Sequence, residues 1–140
     1  NEDRKHVISR LSQLDASPNH ALYICSIQVA ENSTNGQTLP EIIDEVTKNL
    51  NDITSLEYFN MQLRKEDYKP ELSEHYTNKY YLRSEIELVE VTNSIPKINF
   101  EILSQAWGKE MATRIDDSHY RLDVTGLGFG RDDNRFKNVF

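Results

Sequence analysis

Four histidines and one cysteine are the residues of this chain best suited to hold a metal through nitrogen or sulfur. His6, His20, His75 and His119 are far apart, with no i,i+4 pair and no second cysteine, so zinc spacing is absent and they read as surface histidines. Asp116, Asp117, Asp123, Asp132 and Asp133 lack the spacing and the acidic last ligand of a calcium loop. Metal-assisted phosphodiester hydrolysis asks for something else: an acid, then Glu-x-Lys on an adjacent strand, to hold Mg²⁺ and ready a water. The only acid-x-Lys spacings are Asp3-Arg4-Lys5 and Asp67-Tyr68-Lys69. Neither lies inside an apolar strand or follows a Pro-Asp pair, so both read as surface charge and no metal ligand is assigned.

Other chemistries are excluded by context. Gly126-Leu127-Gly128-Phe129-Gly130 follows a strand pattern but lacks the glycine spacing, the Lys-Ser/Thr pair and the following helix of a phosphate loop. It reads as a flexible exit from the fold. No serine sits in a glycine-flanked strand-to-helix elbow. Cys25 stands among apolar residues, where a small buried hydrophobe is expected rather than a nucleophile.

The elements that would position any site follow from periodicity. Val7, Leu11 and Leu14 fit one helix face; alternatively Val7-Ile8 ends a strand and a helix starts at Ser9. Ala21 to Glu31 is the most apolar run and reads as a strand buried on both faces. Thr38-Leu39-Pro40-Glu41 is a capping box that opens a helix with the stripe Leu39, Ile42, Ile43, Val46 and Leu50. Thr54-x-x-Glu57 predicts a second helix, to about Glu66. Tyr76 to Val91 predicts one long strand or a hairpin turning near Arg83–Ser84. Asn99 caps a helix from Phe100 to about Met111, weakened at Gly108. Ser118 to Val124 alternates as a strand, with Tyr120, Leu122 and Val124 on one face.

A chain of 140 residues is about one domain with a real core. A net charge of −7 argues against wholesale coating of nucleic acid, while leaving room for a local basic face at Arg4, Lys5 and Arg10. No run approaches the ~20 apolar residues of a membrane span, no secretory pattern is present, and a lone cysteine makes the cytoplasm the expected compartment. The first residue is Asn1 rather than methionine, as expected of a processed product or a piece of a longer polypeptide.

The order of short motifs adds a resemblance. Ile8-Ser9, Gln13-Leu14, Leu22-Tyr23-Ile24, Thr38-Leu39-Pro40-Glu41, Phe59 with Leu63 and Tyr68, Ile95-Pro96-Lys97-Ile98 and Tyr120-Arg121-Leu122-Asp123 occur in that order. The set resembles the C-terminal half of a PD-(D/E)xK motif-protein family found in bacterial restriction and phage-defence gene clusters. The likeness covers about His6 to Leu127. One departure is Asp67, where a glycine is usual before the tyrosine at Tyr68. The resemblance implies a restriction-endonuclease-like core whose acid and Glu-x-Lys residues lie upstream of Asn1, with Mg²⁺ as cofactor. It implies a helix after the Glu-x-Lys strand on which Ser9 and Gln13 act as polar helpers, and phosphate contacts from Arg4, Lys5 and Arg10.

The expected fold is therefore α/β or α+β, a mixed sheet with flanking helices and the N-terminal catalytic strands missing. Residues 1–127 form the C-terminal part of that domain and 128–140 a flexible tail. The expected function is the C-terminal portion of a Mg²⁺-dependent DNA endonuclease of a restriction or phage-defence system, inactive alone. Expected partners are DNA, the N-terminal remainder of the same protein and a second copy, with no membrane. The alternative is a non-catalytic interaction or assembly module using Tyr76, Tyr80, Tyr81, Trp107 and the Phe-bearing tail.

Overall fold

The computed structural model describes residues 3–32 and 34–139. Phe140, part of the aromatic tail in the alternative above, lies outside the described residues. In chain order the elements are β1 (Lys5–Ile8), β2 (Tyr23–Ser26), β3 (Val29–Glu31), β4 (Gln37–Thr38), α1 (Leu39–Asn49), α2 (Ile53–Lys65), a 3-10 segment (Pro70–His75), β5 (Lys79–Leu82), β6 (Glu87–Glu90), α3 (Phe100–Trp107), α4 (Lys109–Ala112), β7 (Tyr120–Asp123) and α5 (Asn134–Val139). Helices and small antiparallel sheets make a mixed α+β fold, as the sequence predicts. The chain divides into two compact units: Asn1–Gln28 with Ser84–Phe140, and Val29–Arg83.

In the first unit, β1 pairs with β7 (Lys5 opposite Asp123, Ile8 opposite Tyr120) and β2 pairs with β6 (Tyr23 opposite Glu90, Ser26 opposite Glu87). One core lies beneath both ribbons: Ile8, Leu14, Val89, Ile95, Leu122 and Val124 are buried together, with Ile24, Val91 and Tyr120 packed on them. The alternation expected of Ser118–Val124 is seen, Leu122 and Val124 being buried while Arg121 and Asp123 are exposed.

In the second unit, β5 runs between β3 and β4. The predicted capping box opens α1: Thr38 Oγ1 accepts from the Glu41 N–H, and the Thr38 N–H donates to the Glu41 carboxylate at 2.7 Å. Those bonds hold the Glu41 carboxyl below its ordinary pKa.

Several expectations are corrected. Lys5–Ile8 is a strand, so Val7-Ile8 ends a strand as the second of the two readings has it, and the helix face of Val7, Leu11 and Leu14 does not form. Val7 and Ile8 are β-branched, and the ladder to β7 outweighs a weak 3.6-residue spacing. No helix starts at Ser9 either; tight turns follow, closed by the Gln13 N–H on the Arg10 carbonyl and the Asp15 N–H on the Ser12 carbonyl.

The apolar run Ala21–Glu31 is two short strands, one in each unit, not one inner strand buried on both faces. The polar side chains of Ser26 and Gln28 interrupt it, Ser26 turning inward to Arg4 and Gln28 accepting from Ser84 Oγ at 2.5 Å. Cys25 is consequently exposed rather than buried.

The chain does break at Arg83–Ser84, but β5 and β6 join different sheets, neither one strand nor a hairpin. Asp52, not Thr54, caps α2, its carboxylate accepting from the Ser55 N–H at 2.7 Å. Gly108, at φ 83°, ends α3 outright, short of Met111, and Trp107 before it is exposed. In the segment 128–140, expected as a flexible tail, the described residues return to β6. Phe129 and Leu88 exchange both backbone hydrogen bonds, Phe129 is buried, and α5 follows.

Candidate functional site

The positions singled out by the sequence gather around β1, and the structure gives them unlike roles. Arg4 is 6% exposed and its guanidinium is fully engaged within the protein. Nη1 donates to the Ser26 carbonyl and Ser26 Oγ, both at 3.1 Å. Nη2 donates to Ser84 Oγ at 2.9 Å and the Glu85 carbonyl at 2.7 Å, and Nε stands 3.2 Å from the Glu87 carboxylate. A planar fork with five donors suits that arrangement. Arg4 is therefore an internal clamp, and its assignment to phosphate is corrected.

Lys5 and Arg10 are exposed and sit on the surface expected of phosphate contacts. The Lys5 ammonium lies 2.7 Å from Asp3, which raises its pKa through that hydrogen bond and the attraction of the carboxylate. An exposed pair of this kind is screened by water and contributes little to stability. The second acid-x-Lys triplet closes on itself likewise, with Lys69 Nζ 3.5 Å from Asp67. Both triplets are local ion pairs, as their sequence context indicated.

Ser9 and Gln13 are joined to each other: Gln13 Oε1 accepts from the Ser9 N–H at 2.9 Å. Both are exposed, on a turn rather than on the expected helix. Gln13 stands at a cavity of about 250 Å³ between β1 and β2, flanked by His6, Val7 and Ile8 on one side and Leu22, Tyr23 and Ile24 on the other. His6, one of its lining residues, has Nε2 3.0 Å from Ser26 Oγ.

Sequence reasoning missed the group that organises this end of the unit. Gly128 and Gly130 flank Phe129 and let the backbone run close to Glu87 and Glu85. A Cβ on Gly128 would lie 2.7 Å from the Glu87 carboxylate, and one on Gly130 would strike that of Glu85. Glu87 in turn holds Arg4, and Glu85 accepts from the Arg131 N–H at 2.7 Å. The signal was the matched alternation of Glu85-Ile86-Glu87 and Gly128-Phe129-Gly130. The glycines make room for carboxylates rather than loosening an exit.

The acids themselves do not converge. Among the described residues no group of three or more His, Cys, Asp or Glu side chains could hold a metal ion. Asp133 has its pKa lowered to about 2, but by its own neighbour Arg135, whose guanidinium lies 2.7 Å away. Asp123 is lowered by hydrogen bonds from Thr125.

A family model described as "Putative PD-(D/E)XK family member, (DUF4420)" matches residues 1–125 of the 140. The chain belongs to that family. The DUF4420 match spans all of β1 to β7 and ends before the Gly126–Gly130 return. No curated protein and no solved structure matches the chain. Membership supports a nuclease-like function, and nucleases of the PD-(D/E)XK kind use divalent metals. Among the described residues no cluster of acids fits such an ion. Among the described residues no helix is long and apolar enough to cross a membrane.

Proposed function

We propose that this chain is the C-terminal part of a Mg²⁺-dependent DNA endonuclease domain serving a bacterial restriction or phage-defence system, and that polypeptide outside residues 1–140 supplies the catalytic acids. One observation carries the reading: a PD-(D/E)XK family match covers residues 1–125, yet among the described residues no strand bears the acid and Glu-x-Lys that define that chemistry. When bound, Mg²⁺ would supply an activated water and charge neutralisation at phosphate. The contribution of residues 1–140 is the supporting wall of the site and a basic patch for the DNA backbone.

The test is a plasmid-nicking assay with Mg²⁺. The purified chain of 140 residues is expected to leave supercoiled DNA intact, whereas a longer polypeptide that adds the acid-bearing strands nicks it. Robust metal-dependent nicking by residues 1–140 alone would overturn the reading.

DNA binding has its own test. Lys5 and Arg10 are exposed cations on and just after β1, and each phosphate contact adds about 0.9 to the slope of log affinity against log salt. The K5E/R10E double variant is expected to weaken binding to any duplex and to lower that slope by about 2, read by gel shift over a salt series. Unchanged affinity with an unchanged slope would remove these two residues from the interface.

A further inference from the structure

We infer that the cavity between β1 and β2 is a strand-accepting slot: an extended polypeptide segment seats there and pairs through its backbone with both strands at once.

Successive residues of a strand point to opposite faces, so a cavity on one face touches every second residue. This cavity touches three in a row on each side, His6-Val7-Ile8 and Leu22-Tyr23-Ile24. It therefore lies along the strand edges. Each edge is also unpaired, since β1 has β7 as its one ladder partner and β2 has β6, among the described residues.

The phase of each ladder says which backbone groups face the slot. In an antiparallel pair, residues alternate between turning both polar groups toward the partner and turning both away. The Val124 N–H donates to the Arg4 carbonyl, so Arg4, His6 and Ile8 point to β7 while Lys5 and Val7 point away. The Val91 N–H donates to the Leu22 carbonyl, so Leu22, Ile24 and Ser26 point to β6 while Tyr23 and Cys25 point away. Leu88, opposite Cys25, confirms the phase by exchanging its bonds with Phe129 on the far side of β6.

Two edges thus face one gap: of the outward-pointing residues Val7 and Tyr23 line the cavity, and Lys5 and Cys25 continue the two edges beyond its lining. Side chains bridge the gap, His6 to Ser26 and Arg4 to Ser26, and no backbone bond does. The core is continuous beneath it, because Ile8 and Leu14 pack with Ile24 and Val89. An occupant that satisfies both edges is an extended chain whose inward, alternate side chains are apolar and join that core.

Gln13 sets the length of the slot. The next outward-pointing residue of β1 after Val7 is Ser9, and its N–H is already taken by Gln13 Oε1. Pairing therefore stops at Val7, giving a seat about four residues long. Only the source of the strand, the polypeptide that completes the nuclease domain, rests on the function proposed above; the pairing does not.

The experiment uses the chain of 140 residues, without DNA or metal. The probe is a capped ten-residue peptide of alternating valine and threonine, and the control is the same peptide with alternate amides N-methylated. Hydrogen exchange at Val7, Tyr23 and Cys25 is read together with alkylation of the exposed Cys25. The plain peptide is expected to slow exchange at those amides and alkylation of Cys25 by at least about tenfold, at constant protein mass, and the N-methylated peptide to do nothing. No slowing up to millimolar peptide would overturn the proposal, as would equal slowing by both peptides. So would slow exchange at these amides in the free chain at doubled mass, which would assign the slot to a second copy. A failed nicking assay leaves this result standing, and the reverse holds too.

Discussion

Replacing Arg4 with alanine is expected to lower the unfolding free energy of the first unit by about 3 kcal/mol, while altering DNA affinity only through that loss of fold. The side chain is buried and its donors meet the Ser26 and Glu85 carbonyls, two serine hydroxyls and the Glu87 carboxylate. Removing one partner of such a cluster costs about 3–5 kcal/mol, because the groups left behind are desolvated and unmatched. The lower end applies here, since Glu87 is 27% exposed and water reaches its carboxylate. Lysine will not restore the loss, because a single ammonium cannot donate to both sides of the cluster as a planar fork does. The measurement is denaturant unfolding combined with hydrogen exchange at His6, Ile8, Ile24 and Ser26. If R4A unfolds like the parent and binds DNA less tightly with a smaller salt slope, Arg4 is a phosphate contact after all.

The error over Arg4 has a physical origin. Charge and position near the chain's start marked it as a surface cation alongside Lys5 and Arg10. What buries it are partners far along the chain, Ser84, Glu85 and Glu87, together with glycines at 128 and 130 that leave space for the carboxylates. Local composition carries no record of such a meeting. Where the determinant is local, the reading holds. The Thr38–Glu41 box, the Asn99 cap and the alternation of Leu122 and Val124 each depend on residues within a turn or a strand of one another.

The same division explains the front of the chain. Val7, Ile8, Leu11 and Leu14 suit a helical stripe about as well as a strand followed by turns. The choice is made by β7, which lies almost at the other end of the polypeptide. The apolar run Ala21–Glu31 invited a single buried strand because hydrophobicity was weighed over Ser26 and Gln28, the polar residues that divide it. Of the site itself, the family resemblance marked Ser9 and Gln13 as polar helpers on a helix; the structure puts both on a turn, where Gln13 Oε1 accepts from the Ser9 N–H, a contact between neighbours that no helical periodicity foretells.

Gly36→Ala is expected to cost the second unit about 2–3 kcal/mol, more than G108A costs the first, although Gly36 is the glycine with ordinary φ. Two different demands are at work. At Gly36 a Cβ would lie 2.7 Å from the Asn32 carbonyl oxygen, 2.8 Å from the Tyr80 nitrogen and 2.9 Å from the Lys79 carbonyl carbon. All three are backbone atoms, and the Asn32 N–H already donates to the Lys79 carbonyl at 2.9 Å. Relief therefore requires β5 to move from β3 and β4 together. Because Thr38 pairs with Lys79 and caps α1, the shift also reaches the helix start. At Gly108 nothing lies within 4 Å of an added Cβ, and the penalty is the left-handed φ of +83° alone, about 1–2 kcal/mol. Urea unfolding with hydrogen exchange resolved between residues 29–83 and the rest separates the two. G36A should speed exchange at Glu31, Lys79 and Tyr80, and G108A should leave those amides alone. A neutral G36A beside a severe G108A would mean that the turn before β4 has room to give, and that crowding does not set the register of this sheet.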